Sequence, residues 1–284
     1  MSGAAHALGG IAPADLVDAR LQLHWAAQIA AAPGASLAEA QPDFGQLSLA
    51  WDAAGEQLVG AGTKTTPTVR AALTPASFAL RLLDAEGASL EELALSGRTL
   101  DEGMEWLAAA IGRATGCAPP ALSRPEHELP GHAISSGEPF SLEPAAAFAE
   151  LGRWYAAAHA SLSTLHAEVP RPTPLRCWPH HFDIAFLVPL DEDANDESAR
   201  SIGFGLSPGD GGYAEPYLYV TPWPYPATDA LPPLDGGGRW HTEGWVGAVL
   251  KGSRVVSATA ADAQAADILA FMRSGLAAAR TLLE

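Results

Sequence analysis

Two stretches of this chain hold residues whose types and spacing suit chemistry: WPHHFDIAF from Trp178 to Phe186, and SPGDGGYAEPYLYVTPW from Ser207 to Trp223. Side chains alternate across a strand. Read as strands, the second stretch puts Glu215, Tyr217, Tyr219, Thr221 and Trp223 on one face and Pro216, Leu218, Val220 and Pro222 on the other. The first puts His181 and Asp183 with Ala185, opposite His180, Phe182, Ile184 and Phe186. Two chemistries follow. Asp183 and Glu215 form a candidate catalytic carboxylate pair, with Tyr213, Tyr217, Tyr219 and Trp223 as ligand-binding, stacking surface for a ring. Alternatively, His181, Asp183 and Glu215, joined by His24 or His241, supply the donor types of a divalent-metal site. A carboxylate in a half-buried strand also serves by accepting main-chain N–H groups of a glycine-rich turn, and no motif fixes a reaction.

Several neighbouring patterns are weaker. Gly205-Leu206-Ser207-Pro208-Gly209 matches the nucleophile elbow of α/β-hydrolases, with Asp229 or Asp235 and then His241 in the right order. The elbow needs the backbone N–H after the serine for its oxyanion hole, and Pro208 has none. The turn also leads into a strand pattern where the elbow leads into a helix. The acidic run Asp191–Glu197 lacks the glycine and the terminal glutamate of a calcium loop and reads as a solvated hairpin loop. Pro222 to Pro233 forms either a semi-rigid surface loop or a lid. Trp240, His241 and Trp245 follow it, placed to close the same cleft.

The elements that must position these residues can be read from periodicity. A helix from about Ala14 to Ala31 carries Val17, Leu21, His24 and Gln28 on one stripe, so His24 and Gln28 become candidate ligand-binding residues. A second opens at Thr99 with Glu102 three residues on, buries Leu100, Met104, Leu107 and Ile111, and stops at Gly116. A third follows Ser141 with Ala147, Leu151, Trp154, Ala158 and Leu162 inward. The last starts near Thr259, with Asp262 at the capping-box position, and buries Ala265, Ile268, Leu269, Met272 and Leu276. Between them lie short β-like runs: 46–51, 57–62, 68–73, 78–83 and 90–95, then 182–190, 201–206, 216–221 and 245–250. Segregated strands and helices predict an α+β fold of mostly antiparallel sheet flanked by helices. The expectation is one domain over residues 1–284, with a possible subdivision near 170 into 1–169 and 170–284.

Composition narrows the partners. The formal charge is −17, from 33 acidic against 16 basic residues, and Lys64 and Lys251 are the only lysines. Such a surface repels a phosphate backbone, so nucleic acid and anionic membrane are not expected partners. Two isolated cysteines, Cys117 and Cys177, suit a reducing compartment, and neither a secretory n-region nor a membrane-spanning run is visible. The expected location is cytoplasmic. The excess of Ala, Gly and Arg over Lys and Asn is that of a GC-rich bacterial genome.

The order LHWAAQI at 23–29, FDIA at 182–185, Gly203-Phe204, and PGDGGYAE at 208–215, together with the segment from Trp245 through the last helix, resembles a bacterial family catalogued only as a domain of unknown function. The resemblance implies a shared fold and a shared site, with no established activity and no cofactor named. In that family a small residue precedes the Phe-Asp pair where this chain has His181. The function expected is binding of a small polar or aromatic ligand in a carboxylate and aromatic cleft, with catalysis an added possibility. The alternatives are a metal-dependent enzyme using His181, Asp183 and Glu215, or a non-catalytic protein-interaction module. Oligomeric state stays open.

Overall fold

The computed structural model describes residues 7–191 and 199–284. Most of the acidic run Asp191–Glu197 lies outside the described residues, as does the start of the N-terminal segment. The chain forms two compact units. One comprises Leu16–Gly152 with Arg176–Phe182 and is called here the N-terminal-sheet unit. The other takes the described parts of Met1–Asp15, Arg153–Leu175 and Asp183–Glu284 and is called the C-terminal-sheet unit. The expected subdivision near 170 differs from this division, which passes through the third long helix at Gly152 and Arg153 and exchanges short segments in both directions.

The N-terminal-sheet unit is built on α1 (Val17–Leu37). From Gln22 to Gly34 every residue of α1 is buried, as expected of an Ala-rich helix that is apolar nearly all round. Val17 and Leu21, the aliphatics of the expected stripe, are only half-buried, whereas Leu23 and Ile29 are fully enclosed. The helix runs past the expected end at Ala31, carrying Pro33 in its last turns. Its strands are β1 (Leu49–Asp52), β2 (Gln57–Gly60), β3 (Arg70–Thr74), β4 (Ala79–Leu83) and β5 (Ser89–Ala94), followed by α2 (Leu100–Thr115), the first turns of α3 (Ala145–Glu168), which passes to the other unit at Arg153, and the short β6 (Arg176–Trp178). They hydrogen-bond in the order β6-β1-β2-β3-β4-β5, with antiparallel pairings throughout. Glycine permits close approach of α1 to the sheet and of α2 to α1: a Cβ on Gly60 would lie 2.7 Å from the Ala30 carbonyl, and one on Gly103 of α2 would lie 2.7 Å from Ile29 Cδ1.

The C-terminal-sheet unit holds β7 (Asp183–Pro189), β8 (Ser201–Ser207), β9 (Tyr217–Trp223), β10 (Arg239–His241) and β11 (Gly247–Lys251), then the single turn α4 (Gly252–Val255) and α5 (Ala261–Leu283). Its strand order is β10-β11-β9-β8-β7, again antiparallel. One face of this sheet is aliphatic: Ile184 and Phe186, Phe204 and Leu206, Leu218 and Val220, Ala248 and Leu250 are all buried. Helix α5 packs on it, with Gly275 directly over Val220, and buries Ile268, Phe271 and Met272. Burying each such side chain contributes about 2 kcal/mol. Two expectations for this helix change. Its N-cap is Ala260, with no side-chain cap, where Thr259 was expected, and Ala265 is exposed. Gln264 takes the inward position instead, accepting from the Leu8 amide at 2.8 Å and donating to the Leu8 carbonyl at 3.0 Å.

The architecture is α+β, with antiparallel sheet and flanking helices, as the segregation of patterns predicts. Among the described residues no helix is long and apolar enough to cross a membrane.

Candidate functional site

The aliphatic face of β7 to β11 leaves a second face for polar and aromatic residues. Pairing register sets their rows. Ser207 lies opposite Tyr217, which lies opposite Lys251; Gly205 lies opposite Tyr219, which lies opposite Val249 and then Arg239. Asp183 continues the first row, since its neighbour Ile184 pairs with Leu206. Alternation thus places Asp183, Ser207, Tyr217, Tyr219 and Lys251 on one side of one sheet, as the sequence periodicity of β9 predicts.

Gly205 decides the local geometry. The Tyr219 ring lies where a β-carbon on Gly205 would be, so it spans β8 and its hydroxyl donates to Asp183 Oδ2 at 2.5 Å. Asp183 is 8% exposed, and a charge-assisted bond of this length repays part of the cost of burying a carboxylate. Beside it, the Tyr217 hydroxyl donates to Asp210 Oδ2 at 2.5 Å, while Asp210 Oδ1 accepts from the amides of Gly212 and Tyr213 at 2.7 and 2.9 Å. Burial, then the hydrogen bond to Asp210 and its charge, push the Tyr217 phenol well above the ordinary tyrosine range, so this hydroxyl is a donor and not a base. Tyr213 packs on Tyr217 at 4.7 Å, and its hydroxyl meets His241 Nδ1 at 2.8 Å. The His241 ring stacks on Trp245 at 4.3 Å, and its Nε2 donates to the Glu243 carbonyl at 2.7 Å. With Nε2 as donor, neutral His241 presents Nδ1 as the acceptor for Tyr213. Lys251 Nζ sits 5.1 Å above the Tyr213 ring.

The other expected residues have different places. The Glu215 carboxylate accepts from the Ser253 amide at 2.6 Å and pairs with Lys251 Nζ at 3.5 Å. It ties down the start of α4, so Asp183 and Glu215 have separate partners and no bond joins them. Trp223 ends β9, six residues beyond Tyr217 and roughly 20 Å along the strand, where it is 41% exposed against Tyr225. It is not part of the tyrosine cluster. His24, Gln28 and His181 belong to the N-terminal-sheet unit. His181 is not on a strand: residues 179–182 form a turn in which the amides of His181 and Phe182 bond to the Trp178 carbonyl at 3.2 and 2.7 Å, and Phe182 has φ 55°. The expected alternation of His181 with Asp183 therefore breaks at Phe182.

In that unit His24 Nε2 and Gln28 Nε2 both donate to the Pro179 carbonyl, at 2.7 and 2.8 Å, and His24 stacks on Phe182 at 5.2 Å. These two side chains of α1 clamp the turn. Burial outweighs the favourable Pro179 carbonyl and, with the nearby His127, Arg20 and His181, holds His24 down to about 4. His180 tilts over His181 at 4.3 Å and meets His127 edge-on at 5.8 Å. Desolvation, then the charges His181 and His127 would carry, push His180 below the ordinary histidine range.

Among the described residues no group of three or more His, Cys, Asp or Glu side chains is placed to hold a metal ion; His181, Asp183 and Glu215 go respectively to a turn, a sheet face and a capping position. Ser207 ends β8 and accepts from the Gly209 amide at 3.2 Å, but the chain continues into β9 without a helix, so the strand-to-helix turn of a nucleophile elbow is not formed. Sequence reasoning missed Asp210, whose signal was the PGDGG turn itself, and it assigned no role to His127.

No family model, curated protein or solved structure matches the chain. What the site can do is read from its geometry.

Proposed function

We propose that the tyrosine and carboxylate face of the C-terminal sheet binds a small ligand that combines a ring with hydroxyl or amino donors. The observation that carries this is the placement of Tyr219 across Gly205 onto buried Asp183. Aliphatic residues would pack a sheet face at no desolvation cost; burying a carboxylate against a phenol, beside a second phenol on Asp210, costs free energy that packing alone does not call for, and recognition of a ligand accounts for it. Carboxylates and phenols suit donors on the ligand, while Tyr213, Tyr217 and Trp245 suit its ring. Glu215 is left out of the site, because Ser253 and Lys251 hold it. Cys117 and Cys177 form no disulfide, which fits a reducing compartment, and a cytoplasmic location belongs to this reading.

A thermal-shift screen of sugars, amino sugars and aromatic amines tests it. The expected result is a hit that Asp183→Asn and Tyr219→Phe each abolish with the circular dichroism unchanged. Glu215→Gln should keep the hit and lower the melting temperature. No hit, or hits untouched by the first two variants, ends the proposal.

A further inference from the structure

Strand β5 ends the order of the N-terminal sheet, pairing with β4 and, among the described residues, with no other strand. Such an edge is a template for a further strand, and folded proteins blunt it with proline, lysine, a bulge or a covering element. The run SLEELA has neither proline nor lysine, and Ser89, Leu90, Glu92 and Ala94 are exposed. A bulge at Leu90 blunts only its start, where the register steps from Leu82↔Glu91 to Leu83↔Ser89. From Glu91 to Ala94 the pairing is regular.

Beside that stretch lies a hollow of about 390 Å³, lined by Leu93 of β5, by Arg98, and by Glu102, Glu105 and Trp106 of α2. Leu93 and Trp106 are only half-buried. The layer between strand and helix is thus unfilled at the edge. Residues opposite each other in a ladder share a face, so the side chain that an added strand sets opposite Leu93 would enter this hollow.

Charge selects the occupant. Glu91 is held by Arg113 at 2.6 and 3.0 Å and Glu92 by Arg81 at 2.7 Å, and each carboxylate keeps lone pairs for further donors. Arg98, the one cation at the hollow, lies 3.7 Å from Glu102, which leaves Glu105 as the uncompensated charge there. A second copy of β5 is disfavoured: centred on Glu91, on Glu92 or between them, a symmetric antiparallel pairing sets glutamate against glutamate. A strand with lysine or arginine at those places is complementary.

We infer that β5 is a docking edge for an extended basic polypeptide segment. The segment adds as a further strand along Glu91–Ala94, sets lysine or arginine opposite Glu91 and Glu92, and lays an apolar side chain opposite Leu93 against Trp106. This edge lies in the N-terminal-sheet unit and does not depend on ligand binding at the tyrosine face.

The blocked peptide Thr-Val-Lys-Lys-Val-Thr reads the same in both directions, so it presents these groups in either strand orientation. Added to the ¹⁵N-labelled full chain, it should shift the amide signals of β5 and the Trp106 indole signal. The analogue with glutamate for lysine should bind about tenfold more weakly, and the one with glycine for valine about fivefold more weakly. Glu92→Gln, at an exposed position, should weaken the lysine peptide about threefold. Trp106→Ala should erase the advantage of valine over glycine, and Tyr219→Phe should change nothing. Shifts absent from β5, or equal binding of the lysine and glutamate peptides, overturn the inference. So does a dimer in sedimentation that Ala94→Lys dissolves, since the edge then belongs to a second copy.

Discussion

Gly205 is the residue on which the tyrosine face turns. An added methyl group would take the place of the Tyr219 ring, so Gly205→Ala must expel the phenol and leave buried Asp183 without that donor. A loss of about 2 kcal/mol is expected, combining overpacking with an unmade charge-assisted bond. Urea denaturation of Gly205→Ala, Tyr219→Phe and the double variant measures it. The second substitution should cost little once the first is present, whereas additive losses would mean that glycine acts elsewhere. Tyr217, Tyr219 and Asp183 were legible as a shared polar face because strand alternation survives from Tyr217 to Trp223. His181 was misread because the same rule was carried back through Phe182, whose left-handed backbone starts a turn. Glu215 has the right parity for that face, yet it precedes the strand and is claimed by Ser253 and Lys251. Parity says which way a side chain points, not what it meets there.

Helix α2 is the element that local sequence specifies most completely. Thr99 accepts from the Glu102 amide at 3.2 Å, the Thr99 amide donates to the Glu102 carboxylate at 2.8 Å, and Gly116 closes the helix at φ 69°. Thr99→Ala should destabilise the chain by about 1 kcal/mol, read as a lower urea midpoint with the slope unchanged. Adding Glu102→Ala should then cost less than it does alone, because the two bonds form one box. The five strands from β1 to β5 were legible for a similar reason, each being a short β-like run between turn residues. Strands β6 and β10 were not. Each is three residues long, and β6 sits between Pro174 and Pro179, so pairing with a distant partner makes the strand where local pattern does not. Helix α1 was placed but shortened, since a segment buried on all sides has no stripe to mark its end.

For the molecule as a whole, acid is the informative perturbant. The unfolded chain protonates His24 near 6.5, whereas the folded ring resists until about 4. Its contribution is whole above the first value, falls between the two and is gone below the second, a loss on the order of 3 kcal/mol. Asp43, Glu91, Glu168 and Asp191 are held low by Arg176, Arg113, Arg273 and Arg200. Their stabilisation too is lost as pH falls, but only below the ordinary carboxylate range, and solvent screens these exposed pairs. The decline between about pH 6.5 and pH 4 should therefore belong chiefly to the imidazoles. Stability measured by urea denaturation across that window should fall less steeply in His24→Gln than in the wild type, although the variant starts lower for want of its bond to Pro179. Equal slopes would exclude His24 as the cause. The division of the chain carries a practical corollary. The polypeptide changes unit after Asp15, Gly152, Leu175 and Phe182, so no single cut in the gene yields either half whole. Splitting it at the proline-rich stretch around Pro170 would strip the first sheet of its outer strand and leave both fragments incomplete.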